Sequence, residues 1–193
     1  GTAIDNMLFT GSTALTLLST GSLTGVLDAS AMTAGITTTT STTSLTVNGS
    51  TVAETITSGV VALNQAQVIN GNGGDDTINS GALTAAATAG QQQLTLNGGA
   101  GNDTISAAAI VAGAATTATI DGGTGLDIIS LGTNAATLDI VTSSVTATAD
   151  ADKLNTFLTT VDQLDYNGAL SNGTTTSGIG TSVAVADGGG TLK

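Results

Sequence analysis

The sequence predicts an all-β protein, a right-handed parallel β-solenoid with glycine-rich loops on one side of each coil. Three observations predict it: an internal repeat rich in Gly and Asp, short stretches that alternate β-branched and other residues, and the absence of Pro among 193 residues. Proline cannot donate to a strand ladder, so its absence favours strands throughout the chain. Only 2% of the residues are aromatic. Large rings therefore cannot fill a wide centre, and the core must be narrow.

The repeat is the strongest of these observations. Segments 69–78, 96–105 and 120–129 share the pattern U-x-G-[GN]-x-G-x-D-x-U, in which U is aliphatic. A degenerate copy at 47–56 keeps the aliphatic residues and the first glycine but has Glu54 at the aspartate position. We expect this copy to keep its turn, and the sequence leaves open whether it holds an ion.

Asp28 is predicted to mark a fifth copy, so that the acidic residues of successive copies fall 22–27 residues apart. Repeats of this length and composition are typical of solenoids, in which each repeat is one coil that buries its aliphatic residues against its neighbours. Period-2 alternation, the pattern of β-strands, flanks the loops. It precedes them at 45–47, 94–96 and 118–120 and follows them at 77–79, 104–106 and 128–130. Each loop is therefore predicted to join two short strands of one coil, and 15–18 also predicts a strand.

Residues 150–161 have a different pattern. Apolar residues at i, i+3, i+4 and i+7 predict one short helix near 150–161, capped by Asp150, which would cover the open end of the solenoid. The alternative is that this segment only carries the chain to a last strand at 163–166. We assign residues 1–168 to the solenoid. Residues 169–193, rich in Gly and Thr, are a C-terminal segment or the edge of a longer solenoid.

The charge balance restricts the partners. Fourteen acidic residues face only two basic ones, which gives a net charge of −12. Phosphate backbones are bound by Lys and Arg, so we expect no nucleic acid partner. An anionic membrane surface would repel the chain, and the apolar runs are far shorter than the ~20 residues that a membrane helix needs. A cation is the expected partner.

The residue types also restrict the chemistry. The chain has no Cys and no His, so thiol nucleophiles, Ser–His pairs and His-ligated metals cannot be assembled from it. We therefore expect these residues to carry no enzymatic activity. The adjacent carboxylates Asp75 and Asp76 are better explained as ligands than as a catalytic pair. Because the chain starts at Gly1 without a cationic leader, we expect it to be processed or cut from a longer protein.

The loops have the composition of an oxygen cage. Glycine lets the backbone adopt positive φ and turn its carbonyl oxygens inward, and oxygen ligands at roughly 2.3–2.6 Å in sets of six to eight suit Ca²⁺. Coils stacked ~4.8 Å apart would align Asp76, Asp103 and Asp127 in one column. Each adjacent pair of ionised carboxylates would then repel by about 3 kcal/mol at an effective dielectric constant of ~20. The stack is therefore predicted to need calcium.

The pattern resembles the nonapeptide calcium loop of RTX (repeats-in-toxin) β-rolls. In that family the aspartate and loop carbonyls of one turn share an ion with carbonyls of the next turn. The resemblance implies Asp76, Asp103 and Asp127 as side-chain ligands, with Asp75 and Asn102 as further ones. The full set that it implies is Gly71, Asn72, Gly73, Asp75, Asp76, Gly98, Gly99, Ala100, Asn102, Asp103, Gly122, Gly123, Thr124, Leu126 and Asp127. Two features depart from the family: Asn72 replaces a glycine, and the long spacing predicts one column of ions rather than two.

Residues 28–37, followed by a Thr-rich strand and a loop copy, resemble the repeat unit of calcium-dependent surface-layer (S-layer) proteins of Gram-negative bacteria. This second resemblance implies type I export and a location outside the cell, at the cell surface. It also implies that calcium joins copies of the chain into a lattice, and it suggests attachment to outer-surface polysaccharide.

These observations favour an extracellular structural protein, a calcium-stabilised solenoid that self-assembles into a surface layer or filament. One alternative is a stalk or a secretion and folding module of a larger adhesin or secreted enzyme. The other is an ice-binding solenoid, which would need a T-x-T or T-x-N unit in every coil on one face. The unequal coil lengths and the uneven distribution of Thr argue against such an array.

Overall fold

The structure is a computed structural model that describes residues 4–18, 23–40, 43–60, 65–82, 92–108, 116–131, 138–142, 153–155 and 162–166. Throughout these ranges the chain forms parallel strands in stacked coils, which confirms the predicted β-solenoid. Its right-handed sense and the division at residue 168 stay predictions. The proposed segment 169–193 lies outside the described residues.

The strands alternate between two parallel sheets, which we call sheet A and sheet B. In the described residues sheet A contains β1 (Ile4–Gly11), β3 (Leu23–Met32), β5 (Leu45–Asn48), β7 (Ala66–Gly73), β9 (Gln92–Ala100), β11 (Thr116–Thr124), β13 (Leu138–Thr142) and β15 (Asp162–Tyr166). Sheet B contains β2 (Leu15–Leu17), β4 (Ile36–Thr39), β6 (Thr55–Thr57), β8 (Thr77–Asn79), β10 (Thr104–Ala107), β12 (Ile128–Leu131) and β14 (Lys153–Asn155). Each strand pairs with its equivalent in the next coil, so the ladders run along the stack.

The core is as narrow as the composition predicts. Each sheet directs every second residue inward, and the same position is filled in successive coils by aliphatic side chains that are 0–1% exposed. In sheet A this column is Leu27, Val47, Ile69, Leu96 and Ile120, and in sheet B it is Ile56, Ile78, Ile105 and Ile129. Burying each such side chain contributes roughly 1.5–3 kcal/mol, and it does so only when a neighbouring coil covers it.

Side-chain ladders support the strand ladders. In sheet A, Asn70 Nδ2 donates to Asn48 Oδ1 at 2.9 Å, and Asn97 Nδ2 donates to Asn70 Oδ1 at 2.7 Å. At the end of sheet B, hydroxyl groups accept N–H bonds from the next coil. Gly81 N donates to Ser58 Oγ at 2.8 Å, and Ala108 N donates to Ser80 Oγ at 2.9 Å. At that corner of the coil the main-chain N–H groups are therefore hydrogen-bonded to neutral side chains.

The structure corrects two predictions from the sequence. Asp28 does not mark a fifth acidic position, because it pairs with Asn48 in sheet A, and Ile36 is the residue in register with Glu54. The predicted helix near 150–161 is wrong at residues 153–155, because these residues form β14, which pairs with β12. Hydrogen bonding to the edge of sheet B therefore overrides the local helical pattern at these residues. The rest of 150–161 lies outside the described residues, and the alternative of a last strand is confirmed by β15.

The unequal coil lengths do not disturb the strand register. Thr77 follows Asn70 at the same interval at which Thr104 follows Asn97, because the glycine-rich loops have one length. Thr37, Thr55, Thr77 and Thr104 therefore align on the outer face of sheet B. A second column beside it contains Thr39, Thr57, Asn79, Ser106 and Ser130. The expectation that uneven spacing prevents this alignment is thus wrong for these coils. Among the coils of these two columns, those at 37–39, 55–57 and 77–79 have the T-x-T or T-x-N unit, whereas those at 104–106 and 128–130 do not.

One buried hydroxyl interrupts the core of sheet B. Thr38 is 2% exposed, lies between Leu17 and Ile56 in the inward column, and its Oγ1 has no hydrogen-bond partner. We expect Thr38→Val to raise the free energy of unfolding of the calcium-loaded chain by about 1 kcal/mol, because valine keeps the shape and removes the unsatisfied group. Urea unfolding at fixed calcium concentration measures this effect. The exposed neighbour Thr37→Val is the control, and a loss of stability in Thr38→Val would contradict the expectation.

Candidate metal centre

Four acidic residues form one column at the corner where the chain passes from sheet A to sheet B. They are Glu54, Asp76, Asp103 and Asp127, one in each of four successive coils, and they are 1–4% exposed. Main-chain N–H groups link them along the stack at 2.8 Å in each case. Glu54 N donates to Asp76 Oδ1, Asp76 N to Asp103 Oδ1, and Asp103 N to Asp127 Oδ1. One oxygen of each aspartate therefore holds the preceding coil.

The second carboxylate oxygen has a different environment. Asp76 Oδ2 and Asp103 Oδ2 are buried and have no hydrogen-bond partner. A Cβ placed on Gly71 would lie under 3.0 Å from Asp76 Oδ2 and from the Gly98 carbonyl oxygen. A Cβ on Gly98 would meet Asp103 Oδ2 and the Gly122 carbonyl oxygen in the same way. The first glycine of these two loops thus leaves open a cradle, in which a carboxylate oxygen of the same loop and a carbonyl oxygen of the next coil converge.

This arrangement fits a cation. In each cradle a buried carboxylate oxygen without a hydrogen-bond partner faces a carbonyl oxygen, and an unpaired buried charge is costly. In the described ranges no three His, Cys, Asp or Glu side chains cluster around one point. Main-chain oxygens would therefore have to supply most of the ligands, as in the oxygen-rich shells that Ca²⁺ takes. The donor set excludes the thiolate and imidazole ligands that zinc prefers.

Burial makes ionisation of the column costly without a cation. It raises the pKa of Asp76 to about 8, with the charges of Glu54 and Asp103 adding to the effect. Burial also raises the pKa of Asp103 to about 6, with smaller contributions from Asp127 and Asp75. The pKa of Glu54 is raised by burial as well, although its bond from Ser50 opposes the shift.

These shifts predict that acidification stabilises the calcium-free fold. An unfolded aspartate titrates near 3.9, so between about pH 4 and pH 8 the folded chain binds more protons than the unfolded chain, and its stability falls as the pH rises. We expect stronger β circular dichroism at about pH 5.5 than at about pH 8.5 after calcium is removed on a chelating resin. Asp76→Asn should flatten this dependence. A calcium-free β signal that grows with pH would contradict the expectation.

The second glycine of the loops occupies a left-handed position. Gly99 and Gly123 have φ values of 113° and 97°, and Asn72 has φ 73° at the equivalent place. Asparagine is among the few residues that tolerate this conformation, so the departure at Asn72 keeps the turn. Its Nδ2 also donates to the Gly49 carbonyl at 2.7 Å, which ties the first complete loop to the degenerate one.

The remaining residues of the predicted ligand set lie around the outer rim. Asp75 and Asn102 are exposed, and their side chains link coils directly: Asn102 N donates to Asp75 Oδ1 at 2.8 Å, and Leu126 N donates to Asn102 Oδ1 at 2.9 Å. The carbonyl oxygens of Ala100 and Thr124 accept N–H bonds from the preceding coil. Gly73 is in register with Ala100. Whether these rim residues also bind the ion stays a prediction.

Comparison with known proteins supports the same conclusion. The family model described as RTX calcium-binding nonapeptide repeat (4 copies) matches residues 66–82 and 95–109, which contain two of the three loops. The chain therefore contains RTX calcium-binding repeats on a β-solenoid. The third RTX loop, at 120–129, lies outside the matched segments, yet its strands and its Asp127 repeat the same register.

RTX repeats of this kind are known calcium-binding motifs. Searches of curated proteins and of solved structures found no match to the chain. No helix in the described ranges is long and apolar enough to cross a membrane.

The ligand set predicted from the sequence omitted one member of the carboxylate column, Glu54. Its alignment with the aspartate position was visible in the repeat, but only the structure shows that its side chain is buried beside Gly49.

Proposed function

We propose that the chain is an extracellular, non-enzymatic structural protein. Calcium ions complete the stack of coils, and the folded stack self-assembles into a surface layer or filament. The observation that carries this proposal is the buried carboxylate column, in which each of four successive coils contributes one acidic residue and hydrogen bonds link each coil to the next. Calcium at these loops would hold together four successive coils of the stack rather than one local site.

The edge of the stack supports self-association. In the described residues β1 pairs only with β3, and β2 pairs only with β4. Met7, Phe9, Leu15 and Leu17 are only partly buried against the core at this end. Unpaired strand edges template the addition of further strands. A second copy could therefore continue both sheets and cover these apolar side chains.

Electron microscopy and light scattering at millimolar calcium test the assembly. We expect sheets or filaments that dissolve in chelator. Leu8, which is 67% exposed on β1, offers an edge variant: Leu8→Lys should weaken assembly without changing the calcium-induced circular dichroism, because edge lysines oppose strand addition. Val60→Lys, at an exposed apolar residue away from this edge, is the matched control. A chain that folds in calcium and stays monomeric would instead favour a stalk or a secretion and folding module of a larger protein.

The location outside the cell follows from the same proposal. RTX repeats are typical of secreted proteins, and the S-layer resemblance of residues 28–37 supports export by a type I system to the surface of a Gram-negative bacterium. Folding would then wait for the higher calcium concentration outside the cell. Binding of the calcium-loaded chain to purified outer-surface polysaccharide, compared with the calcium-free chain, tests the proposed attachment. Equal retention of both forms would count against it.

A specific observation favours ice binding as a second candidate function. The two outer columns of sheet B place Thr, Ser and Asn side chains ~4.8 Å apart along the stack and roughly 6.6 Å apart across it, in a regular array that can order water. Thermal hysteresis of the calcium-loaded chain tests this function. Thr57→Lys should abolish the hysteresis, whereas Thr95→Lys on sheet A should leave it unchanged. Absence of hysteresis in the folded wild-type chain would exclude this candidate.

A further inference from the structure

The degenerate loop 49–54 has the same cradle as the matched RTX loops, although the family match begins only at residue 66. We propose that this loop forms a further calcium site, in which Glu54 Oε2 and the Gly71 carbonyl oxygen are ligands. The proposal rests on calcium binding by the neighbouring loops and is independent of whether the chain assembles.

The position of Glu54 is that of the aspartates. Its neighbour Thr55 pairs with Thr77, and its N–H donates to Asp76 Oδ1, so it continues the column by one coil. Glu54 is 4% exposed, and its Oε2 is buried without a hydrogen-bond partner. A buried carboxylate oxygen in this state requires either a proton or a cation.

The cradle around Gly49 reproduces the one around Gly71. A Cβ on Gly49 would lie 2.7 Å from Glu54 Oε2 and 3.2 Å from the Asn70 carbonyl oxygen, and closer still to the Gly71 carbonyl oxygen. The same elements recur one coil later as Asp76 Oδ2 and the Gly98 carbonyl oxygen. The acceptor oxygens converge on one space in both loops, although one has a glutamate and the other an aspartate.

A serine accommodates the longer side chain. In the aspartate loops Oδ1 accepts an N–H bond from the preceding coil, but Glu54 Oε1 instead accepts a hydrogen bond from Ser50 Oγ within its own loop. Ser50 is fully buried, and its hydroxyl also accepts a bond from Val52 N at 3.3 Å. This contact fixes one oxygen of Glu54 and leaves the other directed toward the cradle.

The site at Glu54 would also be the last calcium site of the column toward the N-terminal end of the stack. The residue in register with Glu54 in the preceding coil is Ile36, which is 1% exposed and belongs to the hydrophobic core. An aliphatic side chain supplies no ligand oxygen, so the column of ions would end at Glu54 and hydrophobic packing alone would continue the stack toward β2.

Diffraction from crystals of the unaltered chain grown in calcium, with the anomalous signal of calcium or of terbium as the probe, tests the site directly. We expect a peak within roughly 2.3–2.6 Å of the Glu54 carboxylate, as well as peaks at Asp76 and Asp103. Peaks at the two aspartates with none at Glu54 would overturn this proposal alone. A peak at Glu54 in a chain that stays monomeric would leave it standing and overturn only the proposed assembly.

Equilibrium dialysis with calcium distinguishes two states of Glu54, one in which its carboxylate binds an ion and one in which it is protonated. Glu54→Gln imitates a protonated glutamate, so it should lower the number of ions bound at saturation by one if Glu54 is a ligand, and leave the number unchanged if Glu54 is neutral. Gly49→Ala should lower the number by one as well, because its Cβ fills the cradle. Asp28→Asn also removes one charge, but from outside the column, and should leave the number unchanged. Unchanged binding in Glu54→Gln would overturn the proposal.

Discussion

Removal of calcium is expected to convert the β-solenoid into a largely disordered chain, and its return is expected to restore the strands. Four buried carboxylates lie in one column, and the second oxygens of Glu54, Asp76 and Asp103 face carbonyl oxygens and have no hydrogen-bond partner. At ~4.8 Å between coils each ionised pair repels by about 3 kcal/mol. Since a domain of this size is stable by roughly 5–15 kcal/mol in total, the ionised column without cations removes most of that stability.

Circular dichroism during a titration with EGTA and then calcium measures this transition at about pH 8, where the carboxylates ionise most readily. Magnesium is the matched control, because it prefers a tighter octahedral shell and should not restore the strands. A β spectrum that chelator leaves unchanged would contradict the expectation. Equal recovery in magnesium would show that the loops lack the selectivity that their geometry predicts.

Asp103→Ala is expected to be the most damaging of the alanine substitutions at the three RTX aspartates. Asp103 has another RTX aspartate on each side: its Oδ1 accepts the Asp76 N–H, and its own N–H donates to Asp127 Oδ1. Asp76 has an aspartate on one side only, because its other neighbour in the column is Glu54 of the degenerate loop. Asp103 Oδ2 also faces the cradle of Gly98. Alanine removes the only charged ligand of one cradle and leaves a buried N–H of the preceding coil unsatisfied, which alone costs about 1–3 kcal/mol. A calcium midpoint shifted by roughly tenfold or more should result.

The comparison uses the calcium midpoints of folding for alanine at 76, 103 and 127, measured by circular dichroism under one set of conditions. Asp28→Ala, at an acidic residue outside the column, shows how much of the effect is a general loss of charge. Asp75→Ala tests the exposed carboxylate of the rim. A smaller shift at 103 than at 76 or 127 would count against a column in which neighbouring sites share ligands. A shift at 75 as large as at 103 would place the rim carboxylate among the ligands.

The loops were the most predictable part of the molecule. A pattern in which glycine recurs at fixed positions before an aspartate has few explanations other than a repeated tight turn, so the sequence predicted the column of Asp76, Asp103 and Asp127 that the structure contains. It also identified Asn72 as a departure, and the structure shows that the departure is tolerated because Asn72 adopts φ 73°.

Other features depended on pairing between coils, which no local pattern reports. Asp28 has an acidic side chain at a plausible interval, yet strand pairing places it beside Asn48, and Ile36 takes the column position. Residues 153–155 lie in a stretch with helical spacing but complete the edge of sheet B. The threonine columns of sheet B were missed for the same reason, since unequal intervals in the sequence hide positions that the stack aligns.

The sequence alone is enough to predict a solenoid with RTX calcium-binding loops, because the repeated motif specifies the same local turn in each coil. Which residues of different coils share a column depends on how the coils pair in the folded chain. Register is set by the hydrogen bonds and side-chain packing between neighbouring coils, and a shift of one residue would turn every buried side chain outward. That is why the burial of Glu54 beside Gly49, and the alignment of Thr37, Thr55, Thr77 and Thr104, become visible only in the stacked fold.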